Sequence, residues 1–272
     1  MTLLEVDQKT CTKCGICAAT CPGGIIYFKE KSYPRLLPGT DPFCLRCGHC
    51  VAVCPSGSLT HQESSVEPSA VLDNRLTVSF EQCAQLIRGR RSVREYKDKK
   101  VPKEEIQRII DVARYAPTGH NNQEVQWLVI NDPAMVKKLA AIGMDWFRWS
   151  INNNPALAPM LERTLKKQEA GIDMFLRNAP AVVIAFAEKN NPIAAIDCVI
   201  AISYFDLAAV STGLGCCWAG FLQMAATTFT PMVEAIKLPA GCVPYGCLMV
   251  GYPKYKYQRV PSRQSARIIW QP

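Results

Sequence analysis

Residues 11–22 read CTKCGICAATCP, and residues 44–55 repeat the same pattern as CLRCGHCVAVCP. Both copies have the form C-x2-C-x2-C-x3-C-P, and each cysteine of the second copy lies 33 positions after its counterpart (44 − 11 = 33, 54 − 21 = 33). Cysteines repeated at such short intervals are typical of a metal centre. The cysteines of the two copies are Cys11, Cys14, Cys17, Cys21, Cys44, Cys47, Cys50 and Cys54.

The repeated pattern resembles the bacterial ferredoxin module that carries two [4Fe–4S] clusters, and the resemblance covers about residues 1–62. In that pattern three thiolates wrap one face of a cluster, and the fourth lies too far along the chain to close the same cluster. The fourth cysteine of each copy therefore ligates the other cluster. The resemblance implies one ligand set of Cys11, Cys14, Cys17 and Cys54, and a second set of Cys44, Cys47, Cys50 and Cys21.

Two other interpretations of the cysteines stay open, a zinc site and a disulfide framework. Zinc usually takes pairs of cysteines across a longer gap and stops at four ligands. A disulfide framework suits a small secreted domain, which this chain does not resemble. His49 lies inside the second copy, where all four ligand positions are already filled, so we expect it near the surface and not on a metal.

The length and composition predict a small module followed by one larger domain. A chain of 272 residues has room for the module and for a domain of about 200 residues, and a hydrophobic content of 49% supports a packed core. The chain becomes polar from Leu59 to about Arg75. We therefore place the module at residues 1–62, a linker at 63–75 and the second domain at 76–272.

The remaining cysteines indicate a reducing compartment. They show no metal-like spacing, and most lie in apolar runs, so we expect buried reduced thiols. The N-terminus has no basic region followed by an apolar stretch, so we expect no signal peptide and a cytoplasmic protein. These six cysteines are Cys83, Cys198, Cys216, Cys217, Cys242 and Cys247.

The pattern of apolar and charged residues predicts neither a membrane nor a nucleic acid as partner. The longest apolar run, Ile193 to Val210, contains Asp197 and Asp206, which are costly in lipid, so we expect a buried helix. The net charge is +8, and much of it lies between Arg88 and Lys103. A basic surface attracts an acidic partner protein, and the chain has no nucleic-acid motif.

Periodicity predicts interleaved helices and strands in the second domain. Ser79 and Gln82 form a capping box that opens a helix with a buried apolar face, and a second helix starts at Pro102. The face of the first helix consists of Phe80, Cys83, Ala84 and Ile87, and that of the second of Ile106, Ile109, Ile110 and Ala113. We further predict strands at 127–130, 181–187 and 243–250, helices at 133–142 and 193–212, and an irregular, then helical stretch over 144–174. In the module, short strands are expected within 1–10, 25–28 and 33–36.

Four segments, in this order, resemble those of the FMN-dependent nitroreductases. They are RRSVR at 90–94, APTGHNNQ at 116–123, GLGCCWAGF at 213–221, and VGYP at 250–253 with arginines behind it. The match covers about residues 76–263. The two resemblances together imply an α+β fold class, with a small ferredoxin-like iron–sulfur module followed by a nitroreductase-like α+β sandwich domain.

The nitroreductase resemblance implies that the first segment binds the flavin phosphate. That phosphate carries about −1.5 to −2 charges near neutral pH, and arginine forks bind such oxygens at two points. Arg90, Ser92 and Arg94 lie at alternate positions of an extended segment and share a face, whereas Arg91 points the other way. Arg259 or Arg263 is expected to close the phosphate site from the far end of the chain.

The resemblance also implies the residues around the flavin ring. Asn121, with Gln123 as a weaker candidate, is expected to contact the polar edge or ribityl chain. The family often has proline and tryptophan after this glutamine, and Glu124 and Val125 stand there instead. His120 is a weak candidate for a proton donor.

The turn opposite the ring is expected to comprise Cys217, Trp218, Ala219 and Gly220, with the N–H groups of Ala219 and Gly220 near the flavin N5. Adjacent cysteines are strained as a disulfide, so we expect Cys216 and Cys217 to serve packing. The chain lacks a G-x-G-x-x-G or Walker loop, which argues against a tightly held dinucleotide or ATP.

The sequence thus predicts an iron–sulfur flavoprotein oxidoreductase with FMN and two [4Fe–4S] clusters. Electrons enter from a ferredoxin-type donor and leave to a small acceptor such as a nitroaromatic, a quinone or an activated alkene. The resemblance also implies a homodimer. The alternative hypothesis is an electron-transfer module that serves a larger redox enzyme and has no small substrate of its own. The zinc interpretation would instead make the chain a binding protein.

Overall fold

The computed structural model describes residues 3–63 and 71–271, which fall into two units. The N-terminal unit comprises Met1–Thr77 together with Thr118–Asn122, and the C-terminal unit comprises Val78–Pro117 together with Gln123–Pro272. No signal in the sequence indicated that Thr118–Asn122 groups with the N-terminal unit. Residues 64–70 of the predicted linker lie outside the described residues.

Among its described residues, the N-terminal unit contains two short antiparallel sheets, two one-turn helices and three 3-10 turns. One sheet pairs the first and last strands of the module, and the other pairs the two strands between the cysteine motifs. The elements are β1 (Leu4–Val6), α1 (Ile16–Ala19), β2 (Ile26–Tyr27), β3 (Arg35–Leu36), α2 (His49–Ala52) and β4 (Leu59–His61), and the 3-10 turns are Asp41–Phe43, Asn74–Leu76 and Gly119–Asn121. The last strand of the unit, β4, lies inside the segment assigned to the module, where Leu59 pairs with Val6 and His61 with Leu4.

A glycine opens each of the two one-turn helices. Gly15 precedes α1 with a φ of 74°, and Gly48 precedes α2 with a φ of 69°. Side chains are strained in this left-handed region, so both cysteine motifs need glycine at the same place.

The core of the N-terminal unit is small. It consists of Leu4, Cys17, Ile25, Ile26 and Leu59. The partly buried residues packed against it include four more cysteines of the two motifs, namely Cys21, Cys44, Cys50 and Cys54. The core of this unit therefore packs directly against candidate metal ligands.

One four-stranded antiparallel sheet organises the C-terminal unit. Its strands lie in the order β5-β6-β8-β7. The elements of this unit are α3 (Phe80–Gly89), α4 (Lys103–Ala113), β5 (Gln126–Ile130), α5 (Pro133–Asn153), α6 (Ala158–Glu169), β6 (Ala181–Glu188), α7 (Ala194–Ser211), β7 (Gly215–Trp218), α8 (Gly220–Thr228), α9 (Thr230–Ile236) and β8 (Cys242–Gly251).

The sheet is covered by helices on both faces, as its strand β6 shows. Alternate side chains of a strand point to opposite faces. Val182, Ile184 and Phe186 pack with residues of α5, α6, α8 and α9. Val183 and Ala185 pack with residues of α4 and α7 on the other face. This arrangement confirms the predicted sandwich of a sheet between helices.

Several predicted elements have different bounds in the structure. The helix expected at 133–142 continues to Asn153 as α5, because residues 143–153 contain no proline and keep an apolar face that buries Trp146 and Phe147. Strand β7 and helix α8 replace the predicted turn at 213–221, and helix α9 was not predicted. The predicted helix start at Pro102 is confirmed, with Pro102 as the residue before α4.

Helix α3 has the predicted cap but not the predicted burial. The Ser79 hydroxyl accepts the Gln82 N–H at 3.2 Å, and the Gln82 side chain accepts the Ser79 N–H at 2.9 Å. However, no residue of α3 is buried, and Phe80 and Ile87 are 77% and 54% exposed. Local capping therefore forms this helix, while its apolar face stays uncovered in the single chain.

Helix α7 is long and apolar enough to cross a membrane by length and composition alone. Within the structure Ile202 and Phe205 pack against the sheet, and Asp197 and Asp206 are buried. A core helix satisfies the same length and composition criterion, and this packing agrees with the predicted buried helix.

Candidate functional site

The eight motif cysteines line two separate cavities in the N-terminal unit. One cavity is lined by Cys11, Cys14, Cys17 and Cys54, and the other by Cys21, Cys44, Cys47 and Cys50. These are the two ligand sets that the ferredoxin resemblance implied. Each set takes three cysteines from one motif and the fourth from the other motif.

The arrangement of the cysteines fits a cluster better than a single metal ion. Among residues 3–63 and 71–271, no group of three or more His, Cys, Asp or Glu side chains is placed to bind one ion. A [4Fe–4S] cluster instead takes four thiolates around a larger core. Four cysteines around one cavity, twice over, therefore match the donor set of two such clusters.

Hydrogen-bond donors surround the cysteine sulfurs. In the first cavity the Cys54 sulfur accepts the Ser58 N–H at 3.3 Å and lies 3.7 Å from the Ser56 hydroxyl oxygen. In the second cavity the Cys44 sulfur lies 3.3 Å from His61 Nε2. The imidazole of His61 is buried, and burial lowers its pKa. Sequence reasoning missed His61 because it stands six positions beyond the second copy of the motif, which ends at Pro55 (61 − 55 = 6).

The thiols differ in how readily they ionise. Burial raises the pKa of the Cys50 thiol to about 11 and also raises the pKa of Cys17. Hydrogen bonds from the backbone of Ile16 and the side chain of Thr12 lower the pKa of Cys14. Iron binds thiolates, so cluster binding must release protons from the buried thiols.

Three of the four nitroreductase-like segments meet at one end of the sheet in the C-terminal unit. The Val93 N–H donates to the Cys216 carbonyl at 2.9 Å, which joins segment 90–94 to β7. Tyr96 forms a β-bridge with Pro253, and its hydroxyl donates to the Val93 carbonyl at 2.7 Å. Gly215 lies so close to the Val93 side chain that a Cβ there would collide with it.

The predicted phosphate segment is anchored by an ion pair. Arg90 Nη1 donates to the Asp206 carboxylate on α7 at 3.2 Å, and both side chains are largely buried. Burial raises the pKa of Asp206, and the Arg90 guanidinium opposes this shift. The sequence did not indicate this pair, whose members are 116 residues apart. Because the ion pair uses only part of its guanidinium fork, Arg90 keeps donors for a further anion.

Arg177, which is outside the predicted set, adds positive charge near Cys217 of β7, as Arg94 does. Burial raises the pKa of the Cys217 thiol, whereas the charges of Arg94 and Arg177 and a hydrogen bond with Ser92 lower it. Arg177 has a φ of 58°. Its loop is held by the Asp173 carboxylate, which accepts the Phe175 N–H at 2.9 Å. No spacing signal in the sequence marked Arg177. Arg91 is half-buried.

The two adjacent cysteines of β7 serve packing, as expected. Cys216 packs on the face of α4 and α7, and Cys217 on the opposite face. Both thiols are free. Burial raises the pKa of Cys216 well above its ordinary value.

The end of β7 offers one backbone donor where two were expected. The Ala219 N–H donates to the Cys247 carbonyl at 2.8 Å and is therefore engaged within the sheet. Gly220 is the first residue of α8, so its N–H has no acceptor in the helix. Nothing lies within 4 Å of a Cβ built on Gly220, which leaves room for a close approach. Trp218 is 38% exposed beside it.

The loop expected to contact the flavin has an unusual backbone. His120, Asn121 and Gln123 have φ values of 52°, 57° and 53°. Non-glycine residues in this region carry strain that accumulates at functional sites. Within the N-terminal unit the Asn121 side-chain amide donates to the carbonyls of Leu45 and Arg46, at 3.2 Å each. His120 is exposed.

The two C-terminal arginines lie on an exposed tail. Arg259 and Arg263 belong to residues 252–271, which follow β8 without further helix or strand. Both side chains are exposed. Their role at the phosphate stays a prediction.

Residues 87–252 match the family model described as the nitroreductase family. The chain belongs to the nitroreductase family. Residues 10–58 match the model of a 4Fe-4S dicluster domain. Together these matches confirm the predicted fusion and identify an FMN-dependent oxidoreductase with an N-terminal iron–sulfur domain.

The similar proteins align with the C-terminal part of this nitroreductase. One relative, from Archaeoglobus fulgidus, is described as a candidate NADH dehydrogenase/NAD(P)H nitroreductase, and it is 26% identical over 175 residues, or 64% of this chain and 87% of the relative. An iodotyrosine deiodinase from Thermotoga neapolitana is 26% identical over 180 residues, or 64% of this chain and 91% of that protein. A crystal structure of a nitroreductase with bound FMN from Bacteroides fragilis superimposes with a TM-score of 0.59 at 22% identity, over 69% of this chain and 98% of the other.

Proposed function

We propose that this nitroreductase passes single electrons from a low-potential donor, such as a reduced ferredoxin, through two [4Fe–4S] clusters to FMN. From there electrons go to a small acceptor such as a nitroaromatic, a quinone or an activated alkene. The observation that carries the proposal is the separation of the eight cysteines into two cavities with four cysteines each. A chain that also belongs to a flavin-dependent family then has both an entry route and an exit route for electrons.

The cluster site and the flavin site require different groups from the chain. Bound FMN supplies the chemistry that gathers single electrons and delivers them as a pair. The chain has to hold the phosphate, exclude water from the ring and place donors at its edge. Arg90, Ser92 and Arg94, with Arg177 as an addition, supply positive charge and hydrogen bonds beside β7. The free N–H of Gly220 supplies a donor where backbone approaches closely.

The proposed assembly is a homodimer in the cytoplasm. The single chain leaves large apolar side chains exposed on α3, on the outer side of α7 and on the C-terminal tail. They include Phe80, Ile87, Ile196, Tyr204, Ile269 and Trp270. A second copy of the chain would cover such surfaces, and it would give Arg259 and Arg263 a place to dock. The free thiols fit a reducing compartment.

Rapid mixing of full-length variants with reduced ferredoxin tests the electron route. Cys17→Ala and Cys50→Ala each remove one ligand from one cavity, and Cys83→Ala is the matched control because Cys83 is exposed on α3. We expect both cavity variants to slow the reduction of FMN strongly and the control to match the wild type. Equal rates in all variants would show that electrons do not enter through the clusters.

The names of two relatives favour NADH or NADPH as an alternative electron donor. The Archaeoglobus protein and an FMN reductase [NAD(P)H] from Bacillus subtilis both carry a nicotinamide in their names. The same variants mixed with NADH or NADPH distinguish the two donors. Fast FMN reduction by a nicotinamide, unaffected in Cys17→Ala and Cys50→Ala, would mean that electrons leave through the clusters. Failure of the loaded protein to turn over any small acceptor would favour a module that serves a larger enzyme.

A further inference from the structure

A buried histidine lies against one of the candidate cluster ligands in the N-terminal unit. His61 is only 7% exposed, and its Nε2 lies 3.3 Å from the Cys44 sulfur. Its position is fixed by the sheet, because His61 is the last residue of β4 and pairs with Leu4 on β1. The contact is therefore part of the folded framework and not a chance approach of a surface side chain.

The neighbouring backbone shows which nitrogen of His61 carries the proton. The Glu63 N–H donates to His61 Nδ1 at 3.1 Å. A nitrogen that accepts a hydrogen bond has no proton, so the ring is neutral and its proton is on Nε2. The Nε2–H therefore points at the Cys44 sulfur, and a metal-bound thiolate there acts only as an acceptor.

An ion pair links the segment after β4 to the loop that carries Cys44 and Cys47. The Glu63 side chain forms an ion pair with Arg46 at 2.5 Å. Arg46 lies between Cys44 and Cys47 in the second motif, so this pair ties the segment after β4 to the ligand loop. The backbone of Glu63, which selects the tautomer of His61, therefore belongs to a segment that contacts the ligand loop through this solvent-exposed pair.

We propose that His61 is a positioning residue that raises the reduction potential of the cluster held by Cys21, Cys44, Cys47 and Cys50, by donating a hydrogen bond from Nε2 to the Cys44 thiolate. This inference rests on the proposed two-cluster function. Reduction adds an electron whose charge spreads onto the sulfurs, so a donor at a sulfur stabilises the reduced form more than the oxidised form. Hydrogen bonds to cluster sulfurs are among the factors that set cluster potentials.

The first motif offers no such donor at the equivalent position. The repeat of 33 residues places Phe28 where the second half has His61 (61 − 33 = 28), and the Phe28 ring packs against Gly15. At this position, therefore, one half of the module has an apolar ring and the other has a hydrogen-bond donor. The difference gives the two clusters unlike surroundings within an otherwise repeated frame.

The test measures the one-electron reduction potential of each cluster in the fully loaded protein. Electron paramagnetic resonance follows the reduction of the clusters. His61→Phe copies the residue of the other half and removes the donor. We expect one of the two steps to move to a lower potential by about tenfold in the reduction equilibrium, or about 59 mV, while the other step stays in place. His61→Gln keeps an N–H donor and should recover part of the shift.

A matched control comes from the other cavity. Ser56→Ala removes the hydroxyl 3.7 Å from the Cys54 sulfur, so it should move only the step that His61→Phe leaves unchanged. Iron and sulfide contents are measured for every variant, and His61→Gln is used for the decision if His61→Phe loads poorly. Unchanged potentials, an equal shift of both steps, or a His61→Gln potential as low as that of His61→Phe would overturn the role of His61. Absence of iron and sulfide from the wild type would instead overturn the proposed function.

Discussion

The two units of this chain are stabilised in different ways. The described part of the N-terminal unit has a hydrophobic core of five buried residues, whereas the C-terminal unit has two core clusters of 23 and 17 buried residues. The N-terminal sheets have two strands of two or three residues each, and β6 and β8 of the C-terminal unit have eight and ten. Small domains rarely bury enough apolar surface to fold alone and usually need metals or disulfides.

This difference in core size indicates in which unit a bound cofactor contributes to the stability of the fold. In the N-terminal unit the cysteines of the cavities also pack against the core, so clusters would join the two halves of the module. Binding free energy there is folding free energy. In the C-terminal unit the sheet is buried on both faces by side chains alone, so we expect the fold to persist without flavin. Each of the following predictions tests one side of this contrast.

The largest effect is expected from removing a cluster ligand. Cys21→Ala should disrupt the cluster whose other ligands are Cys44, Cys47 and Cys50, although Cys21 belongs to the first motif. Hydrogen exchange should then show loss of protection across residues 3–63, while β5–β8 keep theirs. Cys83→Ala should leave both units protected. If Cys21→Ala harms only the cluster of Cys11, Cys14 and Cys17, the proposed pairing of ligands is wrong.

A core substitution should act in the opposite unit. Ile184 is fully buried in β6 and pairs with Leu128 and Cys247 across the sheet. Ile184→Ala should lower the free energy of unfolding of the C-terminal unit by about 2–5 kcal/mol. Urea unfolding followed by tryptophan fluorescence measures this loss. Val112→Ala, at a residue 57% exposed on α4, should change stability by less than about 0.5 kcal/mol, and similar losses in both variants would contradict the burial difference.

The binding of FMN should depend on single charges in the segment at 90–94. Arg90→Ala removes the proposed charge-assisted contact to the flavin phosphate, and losing such a contact should cost about 1.5–3 kcal/mol, or about 10- to 150-fold in the dissociation constant of FMN. Titration of the flavin-free protein with FMN measures this constant. Arg88→Ala, on the last turn of α3, is the matched surface control.

Because Arg90 forms an ion pair with Asp206, a second variant is needed to separate phosphate binding from the structural role of the pair. Arg90→Ala also leaves the Asp206 carboxylate buried without its partner, so part of any loss has a structural cause. Asp206→Asn keeps Arg90 and removes the carboxylate charge. If Asp206→Asn weakens FMN as much as Arg90→Ala does, Arg90 acts by holding the segment and not by contacting the phosphate.

The smallest effect concerns the first helix of the C-terminal unit, which is held locally and not by burial. Ser79→Ala removes the hydroxyl that accepts the Gln82 N–H and should cost about 1 kcal/mol. Ser79→Asp keeps an acceptor and should retain wild-type stability in thermal unfolding. A loss of several kcal/mol would mean that the apolar face of α3 is covered in solution, as a homodimer would cover it.

Features determined by short-range spacing were predictable from the sequence. The two cysteine motifs each lie within twelve positions, and the capping box of α3 involves residues three apart. The strands of the sheet follow from continuous apolar runs. Their two-sided burial explains why β6 and β8 were found near their true bounds.

Features that depend on distant partners were not predictable. The Arg90–Asp206 pair and the contact of His61 with Cys44 each join residues that no motif links. The exposed face of α3 was expected to be buried, because periodicity reports that a face is apolar but not what covers it. Helix α5 was predicted too short because aromatic and asparagine residues obscured its period.

The composition of the N-terminal unit has a consequence for biosynthesis. Its last segment, Thr118–Asn122, is separated from Thr77 by forty residues that belong to the other unit (117 − 77 = 40). A ribosome therefore releases the eight cysteines well before the unit can be completed, and the Asn121 contacts to Leu45 and Arg46 form later still. The order of synthesis therefore leaves an interval in which both cysteine motifs have been made and the loop that finishes the unit has not.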